Sequence, residues 1–171
     1  LRSLLFLFVL LGLALVARGA KVRAFVHYNS RGDWANLEQL PEETRNALEI
    51  VSGDIRDPFF VRKTVEGCDA LFHLAALIAI PFSYESPLLF VETNVLGTVN
   101  VMQACLDART PRLVSTSTSE VYGTAQTVPI TEDHPLVGQS PYAASKIASD
   151  QMAIAYHRSF DLPVVLLRPF N

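Results

Sequence analysis

Two short stretches hold most of the reactive side chains of this chain. Residues 117–123 read Ser-Thr-Ser-Glu-Val-Tyr-Gly, and Tyr142-Ala-Ala-Ser-Lys146 follows downstream. Tyr142 and Lys146 stand four positions apart, which on a helix puts them on one face. An ammonium beside a phenol favours the phenolate, so a tyrosine in this setting can act as a base near neutral pH. The same spacing also suits a surface Tyr–Lys pair on an amphipathic helix. What separates the two readings lies upstream, where an apolar segment at 113–117 runs into a loop rich in hydroxyls. Glu120 in that loop can take a proton next to a carbonyl, or stay a solvated loop carboxylate. Ser119 beside it suits a turn.

Positioning these groups is the task of alternating strand-like and helix-like segments. Strands are expected at 22–28, 50–52, 70–74, 113–117 and 163–167. Helical segments are expected at 34–48 (interrupted by Pro41), 57–66, 86–108 and 142–160, with Asp57-Pro58 supplying an N-cap and a first-turn proline. Residues 119–140 are expected to be mostly loop. Such alternation implies an α/β fold, a Rossmann-like doubly wound parallel sheet with helices on both faces. Ligands of such sheets bind beyond the carboxyl ends of the strands. Leu74, Ser117 and Arg168 all fall at such ends, so distant motifs meet at one crevice.

Composition narrows the classes of function. The 171 residues are half hydrophobic and 18% charged, enough for one sizeable core and too apolar for disorder. A net charge of −3 with scattered Lys and Arg gives no footprint for nucleic acid. Cys68 and Cys105 lack C-x-x-C spacing and read as reduced core thiols of a cytoplasmic protein. The four histidines show no ligand spacing, so no metal is expected. Arg2 precedes an apolar run at 4–17 that looks like a secretory signal or short anchor. The run is shorter than the ~20 residues a span needs. It is followed by Gly19 and a strand, as at the end of a helix. Residues 1–20 are therefore expected to be a remnant first helix, with no membrane attachment, before a partial dinucleotide-binding domain at 21–171.

Six ordered segments then resemble one family. They are Gly53-Asp-Ile-Arg-Asp57, His73-Leu-Ala-Ala76, Asn94-Val-Leu-Gly-Thr-Val-Asn100, the 117–123 stretch, Tyr142-Ala-Ala-Ser-Lys146 and Arg168-Pro-Phe-Asn171. Together they resemble the extended short-chain dehydrogenase/reductases of the nucleotide-sugar epimerase/dehydratase group. Thr118-Ser119-Glu120 is most similar to the 4,6-dehydratases such as GDP-mannose dehydratase, since simple 4-epimerases lack the glutamate. The segments 75–84 and 119–129 look most like dehydratases of the legionaminic or bacillosamine type.

The resemblance implies roles. Tyr142 removes the proton of the sugar C4 hydroxyl, Thr118 orients that hydroxyl, and Lys146 holds the nicotinamide ribose and tunes Tyr142. Glu120 removes the C5 proton and water leaves from C6. Many relatives carry an aspartate before the glutamate; Ser119 stands there, which leaves the proton donor open, with Glu120 one candidate for both steps. Asp54 and Ile55 would line the adenine pocket, with Leu74, Ala75, Ala76 and Ser117 along the cofactor. Asn94 would brace the cofactor and Asn171 touch a nucleotide-diphosphate sugar. NAD is the implied cofactor. NADP stays open, because Tyr28-Asn-Ser-Arg31 ends the second strand without an acid, and Arg31 can meet a 2′-phosphate or stay solvated. UDP-glucuronate decarboxylation and 4-epimerisation are the neighbouring activities, but 79–84 offers no basic residue for a carboxylate. A homodimer through 86–108 and 142–160 is the family's usual assembly.

One expected part is absent. The family opens with a strand and G-x-x-G-x-x-G, whose amides hold a pyrophosphate. Here only Gly12 and Gly19 precede Lys21. The chain is accordingly expected to lack the first strand, the glycine-rich loop and the C-terminal substrate domain, to leave a sheet edge open, and to bind cofactor weakly, down to an inactive fragment.

Overall fold

A computed structural model describes residues 2–170, with side chains from Leu10 onward; Asn171 lies outside the described residues. The chain divides into two compact units, Leu1–Asp54 and Ile55–Asn171. In the first, helix α1 (Arg2–Ala17) ends at Gly19, whose positive φ of 78° suits a residue without a side chain. Strands β1 (Val22–His27) and β2 (Leu48–Gly53) pair in parallel, Val22 opposite Leu48, and Arg23 meets Glu49 across them at 2.9 Å. Between them Pro41 splits the expected helix into a 3₁₀ turn, Ala35–Gln39, and α2 (Glu42–Asn46).

The second unit holds the chemistry. Its three-stranded parallel sheet runs in the order β3 (Leu71–His73), β4 (Leu113–Thr116), β5 (Val164–Leu167). Helix α3 (Pro58–Val65) starts where Asp57 accepts the amides of Phe59 and Phe60, and buries Val61 and Val65. After β3 comes α4 (Ile80–Glu85), which sequence patterning missed because Pro81 falls inside a six-residue segment. The expected long helix is continuous but composite: α5 (Pro87–Phe90), a π-helical stretch (Val91–Leu96) and α6 (Gly97–Ala108). A 3₁₀ turn, Ser119–Tyr122, follows β4. Helix α7 (Pro141–Phe160) is capped by Ser140, which accepts the Ala143 amide at 3.0 Å.

The core of this unit lies where α3, α6 and α7 pack, around Phe90, Met102, Cys105, Leu113, Val121 and Ala153. Gly97 permits the closest approach, since a Cβ there would stand 2.9 Å from Ile55 Cγ2. Both cysteines are free thiols; Cys105 is buried and its pKa is pushed up to about 11, chiefly by that burial. Among the described residues no helix is long and apolar enough to cross a membrane.

Candidate active site

Leu74, Ser117 and Arg168 each follow the last residue of a parallel strand of the second sheet, as their sequence positions implied. Around the end of β4 the structure gathers Thr118, Ser119, Glu120, Tyr142 and Lys146. Thr118 has extended backbone and caps the 3₁₀ turn, its Oγ1 accepting the Glu120 amide at 3.2 Å. That turn leaves the Glu120 side chain exposed while Val121 and Tyr122 are buried beneath it.

Tyr142 and Lys146 share the inward face of α7, and both are buried. Lys146 Nζ donates to the Thr116 carbonyl at 2.8 Å. Burial lowers its pKa, and the nearby Asp150 carboxylate acts the other way. The Tyr142 phenol lies within hydrogen-bonding reach of Thr118. Burial raises its pKa, the Thr118 contact lowers it and the Glu120 charge raises it again. Burial is the largest of these influences, so the net direction is upward.

The residues after β3 are held by Asn94, from the π-helical stretch. Its Oδ1 accepts the Leu77 amide at 2.8 Å, and its Nδ2 donates to the Leu77 carbonyl at 3.0 Å and to Ser145 Oγ at 2.9 Å. Ser145 Oγ in turn donates to the Tyr142 carbonyl at 2.7 Å. Asn94, the expected brace of a cofactor, thus meets protein groups through both ends of its amide. Its amide is engaged by the backbone of the loop that carries Leu74, Ala75 and Ala76, and by α7. The π-helical stretch that places it had no sequence signal, although such stretches are frequent at functional sites.

His73 closes the base of this region. Thr98 Oγ1 donates to the Asn94 carbonyl, so it accepts from His73 Nε2, 2.9 Å away, which fixes the tautomer. Burial, aided by the Lys146 charge, lowers the His73 pKa to about 3. Sequence reasoning also missed the cluster Tyr122, Asp150 and Arg168. Arg168 Nε–H donates to Asp150 Oδ2 and Nη1–H to the Tyr122 hydroxyl, each at 3.0 Å.

A dinucleotide's nicotinamide end fits this strand end on one observation. The Oγ atoms of Ser117 and Thr116 are buried at the end of β4 and have no hydrogen-bond partner within the protein. Buried hydroxyls without partners are costly, and a polar ligand there would satisfy them. Ala75 and Ala76, small and half-buried, let a flat group approach the backbone after β3. Ile55 is buried and its carbonyl accepts from Asn100 Nδ2 at 3.0 Å. In the first unit, Asp54 lies 3.8 Å from His27, and Arg31 is paired with Asp33 at 2.9 Å. The Arg31 charge is thus answered within its own loop. Asn171, the expected substrate contact, is outside the described residues.

A parallel sheet whose strand ends face a Tyr-x-x-x-Lys helix defines the Rossmann-type short-chain dehydrogenase/reductases. Residues 10–171 match the model of the GDP-mannose 4,6 dehydratase family, and the chain belongs to that family. It is 37% identical over 153 residues to a dTDP-glucose 4,6-dehydratase of Streptomyces niveus, covering 90% of this chain and 45% of that protein. The crystal structure of a dTDP-glucose 4,6-dehydratase from Streptomyces venezuelae, solved with NAD bound, superposes with a TM-score of 0.79 at 36% identity. It covers 92% of this chain and 50% of its own. A UDP-N-acetylglucosamine 4-epimerase from Methanobrevibacter ruminantium gives a TM-score of 0.79 at 30% identity, over 89% of this chain and 47% of its own. The chain thus spans about half the length of the relatives it matches.

Proposed function

We propose that the protein carrying this sequence is an NAD-dependent nucleotide-sugar 4,6-dehydratase. The observation that carries this is Glu120: an exposed carboxylate on a turn capped by Thr118, close enough for its charge to act on the Tyr142 phenol. The names of the matched dehydratases support it. Bound NAD would supply the hydride acceptor for the first half of the reaction and the donor for the last. Ser117, Thr116, Lys146 and the backbone after Leu74 are the groups that would hold its nicotinamide end.

Thr118 holds the sugar C4 hydroxyl against Tyr142, and the Tyr142 oxygen in its phenolate form takes that proton as the C4 hydride leaves to the acceptor and C4 becomes a ketone. The ketone acidifies the neighbouring C5–H, and a Glu120 carboxylate oxygen removes it. Expulsion of the C6 hydroxyl as water then needs a proton. Ser119 is not acidic at neutral pH, so Glu120 returns the proton it has just taken. Hydride addition at C6 together with a proton at C5, matching the one Tyr142 took from the C4 hydroxyl, would leave a 4-keto-6-deoxy nucleotide sugar.

Epimerisation at C4 is the second reading, since UDP-glucose 4-epimerases are also among the relatives, one from Azospirillum brasilense at 35% identity over 127 residues. It gives Glu120 no task. Exposed Leu88, Val91 and Leu96 along the composite helix are consistent with a homodimer through that face. The deciding experiment incubates the complete polypeptide with dTDP-glucose, GDP-mannose and UDP-N-acetylglucosamine labelled with deuterium at C4. Dehydration places the label at C6 of a 4-keto-6-deoxy product. A C4 epimer that keeps its C6 hydroxyl would establish epimerisation instead.

A further inference from the structure

We propose that Arg168 is a positioning residue, tying the Glu120 turn to the Tyr142–Lys146 helix so that the two proton-handling groups keep one separation; this rests on the dehydratase reading above. Arg168 is the first residue after β5 and touches both elements at once. Its Nε–H donates to Asp150 on α7, and its Nη1–H to the hydroxyl of Tyr122, the last residue of the 3₁₀ turn. Asp150 continues the face of Tyr142 and Lys146 by one further helical turn, and is 2% exposed.

The geometry of the tie follows from guanidinium chemistry. The donors of an arginine form a rigid planar fork, so two acceptors bound to one fork are fixed relative to each other. A lysine at the same place would be a single point charge. Tyr122 cannot drift on its side of the fork. Phe170 stacks on its ring at 6.0 Å, and His134 meets it edge-on at 5.7 Å. The imidazole of His134 is itself held, accepting the Gln126 amide at Nε2 and facing the Pro135 carbonyl through Nδ1, each at 3.0 Å. The backbone repeats the connection, because Ser119 N–H donates to the Pro169 carbonyl at 3.2 Å. A buried ion pair is a weak source of stability. Its retention under a turn that presents a base fits a role in placement.

Two variants test the tie in the NAD-loaded complete polypeptide. Arg168→Lys keeps the charge that Asp150 needs and loses the fork. Tyr122→Phe keeps the stacked ring and loses the acceptor. Each should leave the first oxidation, read as reduced-NAD absorbance in a single turnover, within about twofold of wild type. Each should slow product formation by roughly 10–100-fold with KM unchanged, as expected when a base is misplaced by about 1 Å. The double variant should be no worse than the more impaired single one, because both break one connection. Equal loss in both halves of the reaction, or no loss in either, would overturn the proposal.

A second readout does not depend on the sugar. Amide hydrogen exchange in residues 119–123 should quicken about tenfold in either variant while α7 is unaffected. Unchanged exchange there overturns the tie whatever the enzyme acts on. Quickened exchange, with wild type inert toward every nucleotide sugar, upholds the tie and overturns the dehydratase reading.

Discussion

The Asn94 side chain closes a two-way hydrogen bond with the backbone of Leu77, accepting its amide at 2.8 Å and donating to its carbonyl at 3.0 Å. A carboxamide offers both functions on adjacent atoms of one planar group. Asn94→Asp keeps the shape and turns the donor into an oxygen facing the Leu77 carbonyl and Ser145 Oγ. With Asn94 1% exposed, that change should cost about 3 kcal/mol in a urea melt, as for a buried group left without its partners. It should also weaken NAD binding about tenfold by calorimetric titration, because the loop of Leu74, Ala75 and Ala76 loses its clamp.

His73 should make stability depend on pH. Its folded pKa of about 3 lies below the ordinary 6.5, so between those values the unfolded chain binds a proton that the folded chain refuses. Stability is then full above pH 6.5 and is lost as the pH falls toward 3. The whole loss is on the order of 5 kcal/mol. Urea midpoints should fall progressively below pH 6, and His73→Gln, which keeps a donor toward Thr98, should flatten that part of the profile. An unchanged slope in the variant would assign the pH dependence elsewhere.

Gly123 ends the Glu120 turn at φ 64°, ψ −145°, a region open in practice to glycine alone. An added Cβ would also stand 2.8 Å from the Val137 carbonyl oxygen, which cannot rotate away. Gly123→Ala should therefore destabilise the protein by about 2–4 kcal/mol in thermal or urea melts. Full stability in the variant would show that the turn can re-form around a side chain.

Much of this arrangement was legible before the structure. The alternation that marked β1 through β5 rests on short apolar runs and on caps such as Asp57-Pro58, and these are local signals. Tyr142, Lys146 and Glu120 were readable because spacing on one helix and proximity to a strand end are also local. Asn94 was placed by pattern but its partners were not. Its contact with Leu77 depends on a π-helical stretch that leaves no compositional trace. The Asp150–Arg168–Tyr122 connection joins α7, the end of β5 and a 3₁₀ turn. Such long-range ion pairs carry no periodicity. Burial, too, was invisible, and it is the largest influence on the Tyr142 pKa.

Glu120→Gln offers the sharpest division of the proposed chemistry. The amide is isosteric but cannot take a proton, whereas Thr118 still caps the turn through its Oγ1. Loss of general base catalysis should lower product formation by about 10²–10⁴-fold. Oxidation at C4 relies on Thr118 and Tyr142, so it should persist, and reduced NAD should accumulate with the 4-keto sugar. Removing the Glu120 charge also removes one of the two influences that raise the Tyr142 pKa. The pH profile of the surviving oxidation should therefore shift toward lower pH, since the phenol then loses its proton more readily. Tyr142→Phe should do the opposite and abolish the oxidation itself, leaving no reduced NAD to detect. A Glu120→Gln variant that still forms 4-keto-6-deoxy product at the wild-type rate would remove Glu120 from the reaction.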